Sequence, residues 1–367
     1  MDRCDLCDSQ RLAPVYQPGQ TDQRIYVCRE CGLCQSLPRF RQPDKTVAIS
    51  GDANWGNIRI GKGLRVAQHL TWLKPLIQPN SVLEVGTNRG AFVRSLLKQF
   101  PHTLIDAIEP DTRLKPALQD LNLRNLWWDR IENLALAKHT YDFMYCSHTL
   151  EHLEHPSSVL CQLHEALKPD GLLFIEVPDL AFIQRPDVYE EFFIDKHRYH
   201  FSKSSLIQLL GRTGWQIEHW FADPLQENLS VLVSKGPRQV YEKSPGPEKD
   251  LFASYAQNLS DNRRTLRARV AAMPTHQRCV SFGGGRLFDI ARRYGGFQPV
   301  AVVDTHLARH LSELGGIPVH PPQDLARLNP DLVVLASRGF VSEMERIVRE
   351  QLPEVAIYAL FSGGNNA

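Results

Sequence analysis

Neither sign of charge is in excess in this chain. Lys and Arg total 42 against 41 Asp and Glu, a net charge of +1 over 367 residues. A protein that grips a nucleic-acid backbone by charge shows an excess or a stripe of basic residues, so the level balance argues against nucleic acid as a partner. The one basic cluster, "NRRTLRAR" at 262–269, sets Arg263, Arg264 and Arg267 at helical spacing. It reads as a solvated helix face, with phosphate binding as the lesser alternative. Long apolar runs are missing too, and none approaches the ~20 residues of a membrane span. The opening "MDRCDLCDSQ" lacks the apolar core of a secretory signal. The expectation is a cytoplasmic protein without a membrane partner, in which thiols stay reduced. At this length two or three domains are expected.

Cysteine is unevenly spread. Five of the eight fall in the first 34 residues (Cys4, Cys7, Cys28, Cys31 and Cys34), while Cys146, Cys161 and Cys279 lie in apolar stretches that read as core. "CDLC" and "CREC" form two C-x2-C pairs separated by twenty residues. Thiolates three apart can hold one tetrahedral ion from a tight turn, and two such turns complete a Cys4 site. Zn2+ on Cys4, Cys7, Cys28 and Cys31 is the expectation, with Cys34 a competing ligand for the place of Cys31. A closed Cys4 site leaves no position for substrate, so such a metal would be structural.

From residue 81 strand and helix patterns alternate: "SVLEVG", "GAFVRSLLKQF", "TLIDAIEP", "DTRLKPALQDL", "LWWD", "YDFMYCS", "PSSVLCQLHEALKPDG" and "LLFIEVP". This predicts a doubly wound, mostly parallel α/β sheet with ligands beyond the carboxyl ends of its strands. The first turn, "LEVGTNRGAF", carries Gly86 and Gly90, but it is not the G-x-G-x-x-G of dinucleotide sites. Glu84 would set a carboxylate beside a pyrophosphate, which repels it, whereas a cationic amino-acid tail would be attracted. Glu109, ending the second strand, suits both hydroxyls of a ribose. These features favour a nucleoside with a positive tail.

Four blocks in order, "VLEVGTNRGAF", "AIEPD", "YDFMYCSHTLEHLEHP" and "LHEALKPDGLLFIEVP", resemble class I S-adenosylmethionine-dependent methyltransferases across 81–235. The resemblance implies that Glu84, Gly86 and Gly90 line the methionine and ribose side of the cofactor, with Asn88 and Ser147 beside them. It implies that Glu109 holds the ribose and that Asp129 meets the adenine amine. Of Trp127 and Trp128, one would be core and one would cover the adenine.

With the cysteine pairs in front and another α/β unit behind, the chain is similar to sugar C-methyltransferases that act on nucleotide-linked deoxysugars. That family carries an H-x-x-Y-F-S segment after the "VP" strand, and "HRYHFS" at 197–202 stands in its place. Carried over by position, His197 and His152 are the acid–base candidates, and of Tyr199 and His200 the expectation is that Tyr199 faces the pocket. The sulfonium methyl is already electrophilic. The enzyme must therefore orient the nucleophile and take its proton, a task suited to imidazole. The sequence departs from the family at Ile194 and Lys196, where a tyrosine and a glutamate are expected. Lys196 is not a ready base but could hold an enolate, a carboxylate or a phosphate.

The expected layout is a zinc knuckle (1–50), a methyltransferase core with an amino-terminal lid around "NWGNIRIGKG" (51–236), a linker (237–250) and a smaller Rossmann-like domain (251–367). In the last of these, "FGGG" after a strand and Asp304 at the end of the next hint only weakly at a dinucleotide. The function read from this layout is methyl transfer from S-adenosylmethionine to a small-molecule sugar, at carbon or oxygen. An RNA methyltransferase using the knuckle for recognition and a non-catalytic binding module are the rivals.

Overall fold

The computed structural model describes residues 3–19, 22–38, 61–185, 188–190, 192–193, 197–223, 227–239, 248–273, 278–309, 311–338 and 340–361. These fall into two compact units. The first is drawn from Met1–Ile49, Gly61–Ile183 and Phe193–Ala253, the second from Gln184–Phe192 and Ser254–Ala367. The cysteine-rich start and the alternating core, expected as separate domains, thus share one unit. Most of the expected lid and the linker residues 240–247 lie outside the described residues.

In the first unit a seven-stranded sheet is built from β4 (Ser81–Val85), β5 (Leu104–Ile108), β6 (Asn125–Trp127), β7 (Tyr141–Ser147), β8 (Leu167–Pro178), β10 (Trp215–Phe221) and β11 (Asn228–Lys235). Its order is β10-β11-β8-β7-β4-β5-β6. β6, β5, β4, β7 and β8 are mutually parallel, and β11 runs antiparallel to both β8 and β10. This is the doubly wound pattern with a hairpin at one edge. Every residue of β4 is buried, as a strand covered on both faces requires. Helix α1 (Gly61–Leu73) and helix α2 (Ala91–Gln99) pack Val66, Leu70, Leu73, Phe92, Val93 and Leu96 into one core cluster with β4, β5 and β7.

The chain order places β5 and β6 on one side of β4, and β7 and β8 on the other. The winding direction therefore reverses between β4 and β7, the place where ligands of such sheets bind. Two expected helices come out shorter. "DTRLKPALQDL" keeps only a 3-10 turn and α3 (Lys115–Leu118), because Pro116 resists a longer helix before it. "PSSVLCQLHEALKPDG" ends as helix α4 (Pro156–Ala166) where β8 begins.

The amino-terminal segment forms a small antiparallel sheet of β1 (Leu12–Tyr16), β2 (Arg24–Cys28) and β3 (Cys34–Leu37), completed by β9 (Tyr199–His200). Cys4, Leu6, Cys28, Cys31 and Leu33 share a core cluster with Leu160, Leu209 and Trp215. Helix α5 (Lys203–Arg212) begins directly after β9, held by a reciprocal capping pair between Ser202 and Ser205.

The second unit is a six-stranded sheet. Its strands are β12 (Cys279–Phe282), β13 (Ala301–Val303), β14 (Glu313–Leu314), β15 (Ile317–His320), β16 (Leu332–Leu335) and β17 (Ala356–Ala359), in the order β14-β15-β13-β12-β16-β17. Its long helix α6 (Glu248–Ala271) carries the basic cluster. Arg263 pairs with Glu190 at 3.1 Å and lies over the Tyr294 ring, Arg264 pairs with Asp261, and Arg267 donates to the Tyr294 carbonyl. That cluster is engaged inside its own unit, as the solvated-helix reading allows and a phosphate site does not require.

One buried charge in the first sheet offers a clean stability test. Asp106 accepts from Arg124 at 2.6 Å, from the Tyr141 hydroxyl at 2.7 Å and from Asn125. Burial alone would raise its carboxyl, but these donors outweigh it and hold the group below its usual range. A depressed folded pKa gives stability that is present above the unfolded value and lost as pH falls through the folded one. Arg124→Ala should therefore cost about 2–3 kcal/mol at pH 7. In denaturant melts of variant and wild type the gap should narrow as the pH is taken down through the carboxylate range.

Candidate functional site

At the carboxyl end of β4 the chain takes a sharp path. Gly86, Asn88 and Gly90 have φ of 78°, 53° and 75°. A Cβ on Gly86 would stand 2.3 Å from Thr149 Oγ1, so only glycine fits without displacement. The loop is tied to the next strand: Glu109 accepts from the backbone N–H of Asn88 at 2.7 Å and from that of Asp111 at 2.9 Å. Glu84 is buried and accepts from the Thr87 hydroxyl. Asp129, following β6, accepts from the Arg130 N–H and from Asn133. The structure thus brings Glu84, Gly86, Asn88, Gly90 and Glu109 together around one loop.

Across the switch point a second cluster rises from the ends of β7 and β8. Glu176, 1% exposed, accepts from His69 at 2.7 Å, Ser230 at 2.9 Å and Ser147 at 3.0 Å, and Arg65 approaches to 3.6 Å. His69 in turn meets the Tyr145 hydroxyl at 2.7 Å. Burial disfavours the Glu176 carboxylate, yet His148 and His69 together hold it well below its usual range. Ser147, expected on the cofactor side, gives its proton to this network.

Next to Glu176 sits Glu151, also 1% exposed, which none of the sequence expectations singled out. Its Oε1 lies 3.4 Å from His148 Nδ1, 3.7 Å from His152 Nε2 and 3.8 Å from His197 Nε2. The His152 and His197 rings meet edge to face with centroids 4.8 Å apart. Burial again opposes the charge on Glu151, and His152 and then His148 outweigh it, so its carboxyl is lowered. Burial and the Arg65 charge depress the His148 imidazole, but Glu151 and Glu176 prevail and raise it. His148 reaches this place through a left-handed backbone, φ 49°, a conformation costly for a residue with a Cβ. A signal for both carboxylates was present in the sequence: "FIEVP" and "TLEHL" place a charge in an apolar run, and a buried charge demands partners.

The structure brings His152 and His197 together as expected. It places their neighbours differently. Tyr199 packs in the core and donates its hydroxyl to the Glu154 carbonyl at 2.8 Å. His200 is the residue on the side of His197, with ring centroids 6.4 Å apart, and it meets Ser36 Oγ at 2.9 Å. Alternation along β9 decides this, since neighbouring side chains point to opposite faces. Burial pushes the His200 imidazole down to about 3, so it is neutral here. Lys196 lies outside the described residues.

The four expected thiols converge. Cys4 Sγ and Cys31 Sγ are 3.5 Å apart, as are Cys7 Sγ and Cys28 Sγ, and all four fall within 4.8 Å of one another. A tetrahedral ion with metal–sulfur bonds of about 2.3 Å asks for S···S edges of ~3.8 Å, so the set fits one such ion. Cys34 stands outside this group and its Sγ faces the Gly32 carbonyl at 3.6 Å. β3 pairs with β9, Cys34 opposite His200 and Gln35 opposite Tyr199, so the cysteine turns and the histidine segment share one small sheet.

In the second unit Asp304 accepts from the N–H groups of Gly284, His306 and Leu307. Its carboxylate holds its own loop together. A Cβ at Gly284 would meet Leu307 at 2.6 Å, so the close packing of this turn requires glycine there.

Residues 62–219 match the family of methyltransferase domains. Among curated proteins, a malonyl-[acyl-carrier protein] O-methyltransferase of Halalkalibacterium halodurans is 30% identical over 115 residues, covering 29% of this chain and 42% of that protein. The enzyme of the same name from Xylella fastidiosa is 24% identical over 238 residues, 63% of this chain and 71% of its own. A tRNA U34 carboxymethyltransferase of Desulfotalea psychrophila is 25% identical over 171 residues, 42% of this chain and 51% of its own. The chain thus spans less than half the length of the first of these relatives. No helix among the described residues is long and apolar enough to cross a membrane. The family match begins in α1 and runs through the glycine turn into β10, so this part of the chain is similar to a methyltransferase domain.

Proposed function

We propose that the protein transfers a methyl group from S-adenosylmethionine to a sugar carried as a nucleotide conjugate, at an acceptor atom that must lose a proton. The observation that carries this is the Glu151 carboxylate, buried against His148, His152 and His197, directly across the switch point from the Gly86–Gly90 loop.

Bound S-adenosylmethionine supplies an electrophilic methyl, already activated by its sulfonium. The chain's own residues do the rest. Glu84 and the left-handed backbone at Gly86, Asn88 and Gly90 give a close, negatively charged wall for the cationic tail. A carboxylate has about four acceptor sites, so Glu109 can hold its two amides and two ribose hydroxyls together. Asp129 stands ready for the adenine amine. His197 or His152 takes the acceptor's proton, and Glu151 stabilises the imidazolium that forms.

The names of the relatives raise a second acceptor class, a carboxylate on a carrier-bound acyl chain. A carboxylate is ionised at neutral pH and needs no base. The histidine–glutamate cluster would then be idle, which favours a hydroxyl or a carbon beside a carbonyl. The tRNA-directed relative suggests an RNA acceptor, and the level charge of this chain speaks against that. Support for a sugar comes from the cysteine pairs and from "HRYHFS", whose strand ties the cysteine turns to the histidines. We further propose that the four thiols hold Zn2+, which fixes that strand.

Calorimetric titration with S-adenosylhomocysteine tests the cofactor site. Binding is expected in the wild type and weaker by ~10–100-fold in Glu109→Ala, which loses charge-assisted hydrogen bonds. No binding by the wild type sinks the methyltransferase reading. Nucleoside-diphosphate sugars titrated into the loaded protein should then give heat, whereas a response to acyl-carrier substrates or RNA would move the acceptor elsewhere. With an accepted sugar, His197→Asn should lower turnover by about 10²–10⁴-fold while leaving S-adenosylhomocysteine affinity in place.

Zinc removal is the structural counterpart. Cys28→Ser should lower the first melting transition by about 10 °C or more, because metal binding is coupled to folding. An unchanged melt would show that the four thiols hold no structural ion.

A further inference from the structure

The reading above uses His152 and His197 as bases and leaves one oddity. Among the described residues, both oxygens of the Glu151 carboxylate lack a hydrogen-bond partner although the group is wholly buried. Its ion-pair separations of 3.4, 3.7 and 3.8 Å are too long for good hydrogen bonds. A buried carboxylate in this state loses hydration without full compensation. Glu176, a few residues away in space, shows the alternative, with three short hydrogen bonds.

We propose that Glu151, His152 and His197 form a second metal site, separate from the four thiols, which takes one divalent transition-metal ion such as Zn2+. The ligand atoms are Glu151 Oε1 and the Nε2 atoms of His152 and His197, all within 4.8 Å of one another. Tetrahedral coordination with bonds of about 2.1 Å needs ligand–ligand edges of ~3.4 Å. The two separations from Glu151 are a few tenths longer than that. Closing them calls for small rotations of side chains, not movement of strands.

The chemistry of the set selects the ion. Two imidazoles and one carboxylate suit Zn2+, Fe2+ or Co2+, whereas Mg2+ and Ca2+ prefer oxygen alone. Thiolates are absent from it, which separates it from the Cys4 set in both affinity and spectrum. Charge also allows it. Arg65 lies 3.6 Å from Glu176, so a dication would chiefly offset Glu151, the carboxylate that no arginine or lysine meets among the described residues. Three protein ligands leave at least one position open. Side-chain exposure of 28% at His152 against 1% at Glu151 puts the open side toward solvent. With the ion in place, His152 and His197 are ligands and not bases, so ion binding and the base role given to them above are alternative states of this cluster. His148, 3.4 Å from Glu151 and from Glu176, supports the carboxylates from behind.

The ion site needs only these three side chains and stands whether or not the acceptor is a sugar. Full-length protein is equilibrated with Zn2+, passed through gel filtration and analysed by mass spectrometry for metal per chain. The wild type should retain two Zn2+ ions. Cys7→Ser should keep the ion at Glu151, and His152→Ala and Glu151→Gln should each keep only the thiolate-bound one, with affinity at the lost site down by ~100-fold. With Co2+ as the probe, the intense thiolate-to-metal absorption should persist in His152→Ala and vanish in Cys7→Ser. The weaker visible bands of the nitrogen and oxygen site should do the reverse. His152 lies at the rim, so its variant keeps the test sound if Glu151→Gln fails to fold. A wild type that holds a single ion on its thiolates overturns the proposal. So does a His152→Ala variant with the wild-type metal count and spectrum. Calorimetry with S-adenosylhomocysteine on the same samples reports the cofactor site independently, so a failure of either reading is visible without the other.

Discussion

Two carboxylates buried under the carboxyl ends of the central strands govern the arrangement of the first unit. Removing an ionised carboxyl from water is among the costliest steps in folding unless partners replace the hydration. Glu176 obtains them from three elements, His69 of α1, Ser147 of β7 and Ser230 of β11. Helix α1 is thereby locked to the sheet by a polar bond as well as by Val66, Leu70 and Leu73. Glu151 is met by His148 and His152 of its own segment and by His197 from the segment before β9, and His148 accepts a left-handed backbone to be there. Strain and buried charge at one spot make it a candidate functional site.

The cysteine turns matter through the same spot. β9 belongs to the small sheet by its hydrogen bonds and to the histidine cluster by sequence, being two residues from His197. Ser36 reinforces the link by donating its N–H to the Arg198 carbonyl at 2.9 Å and by meeting His200 through its hydroxyl. Asp5 accepts from the Ser157 N–H at the start of α4, where an acidic group is favoured by the helix dipole. An ion held by the thiols would thus bear on the histidine cluster at one remove, through strand pairing.

The second unit repeats the parallel α/β plan without repeating the ligand site. Its glycine-rich turn resembles a phosphate cradle in sequence, but Asp304 takes the Gly284 amide of that turn and also accepts from His306 and Leu307 of its own loop. The contrast with Glu109 is instructive: that carboxylate accepts two amides and belongs to an open loop end, whereas Asp304 accepts three amides and closes its loop.

Local patterns decided a good deal by themselves. Apolar runs broken by glycine turns specify the alternating strands, because a strand covered on both faces is mostly apolar, and β4 is buried throughout with Val82, Leu83 and Val85 beside Ser81 and Glu84. The C-x2-C spacing brought the choice down to five thiols, and the fold decided that Cys31 and not Cys34 joins Cys4, Cys7 and Cys28. His152 and His197, 45 positions apart, were named by resemblance to a family and not by spacing. Tertiary structure alone decided the rest. Which of Tyr199 and His200 faces the histidines follows from β9 pairing with a strand 164 residues earlier, and a one-residue change of register would exchange them. The roles of Glu151, Glu176 and His69 were hidden for the same reason. Glu176 is a single polar residue in an apolar strand whose partner His69 lies 107 positions away, and Glu151 is completed by His197 from a distant segment. A sequence shows that such a charge needs a partner, and only the folded chain supplies one.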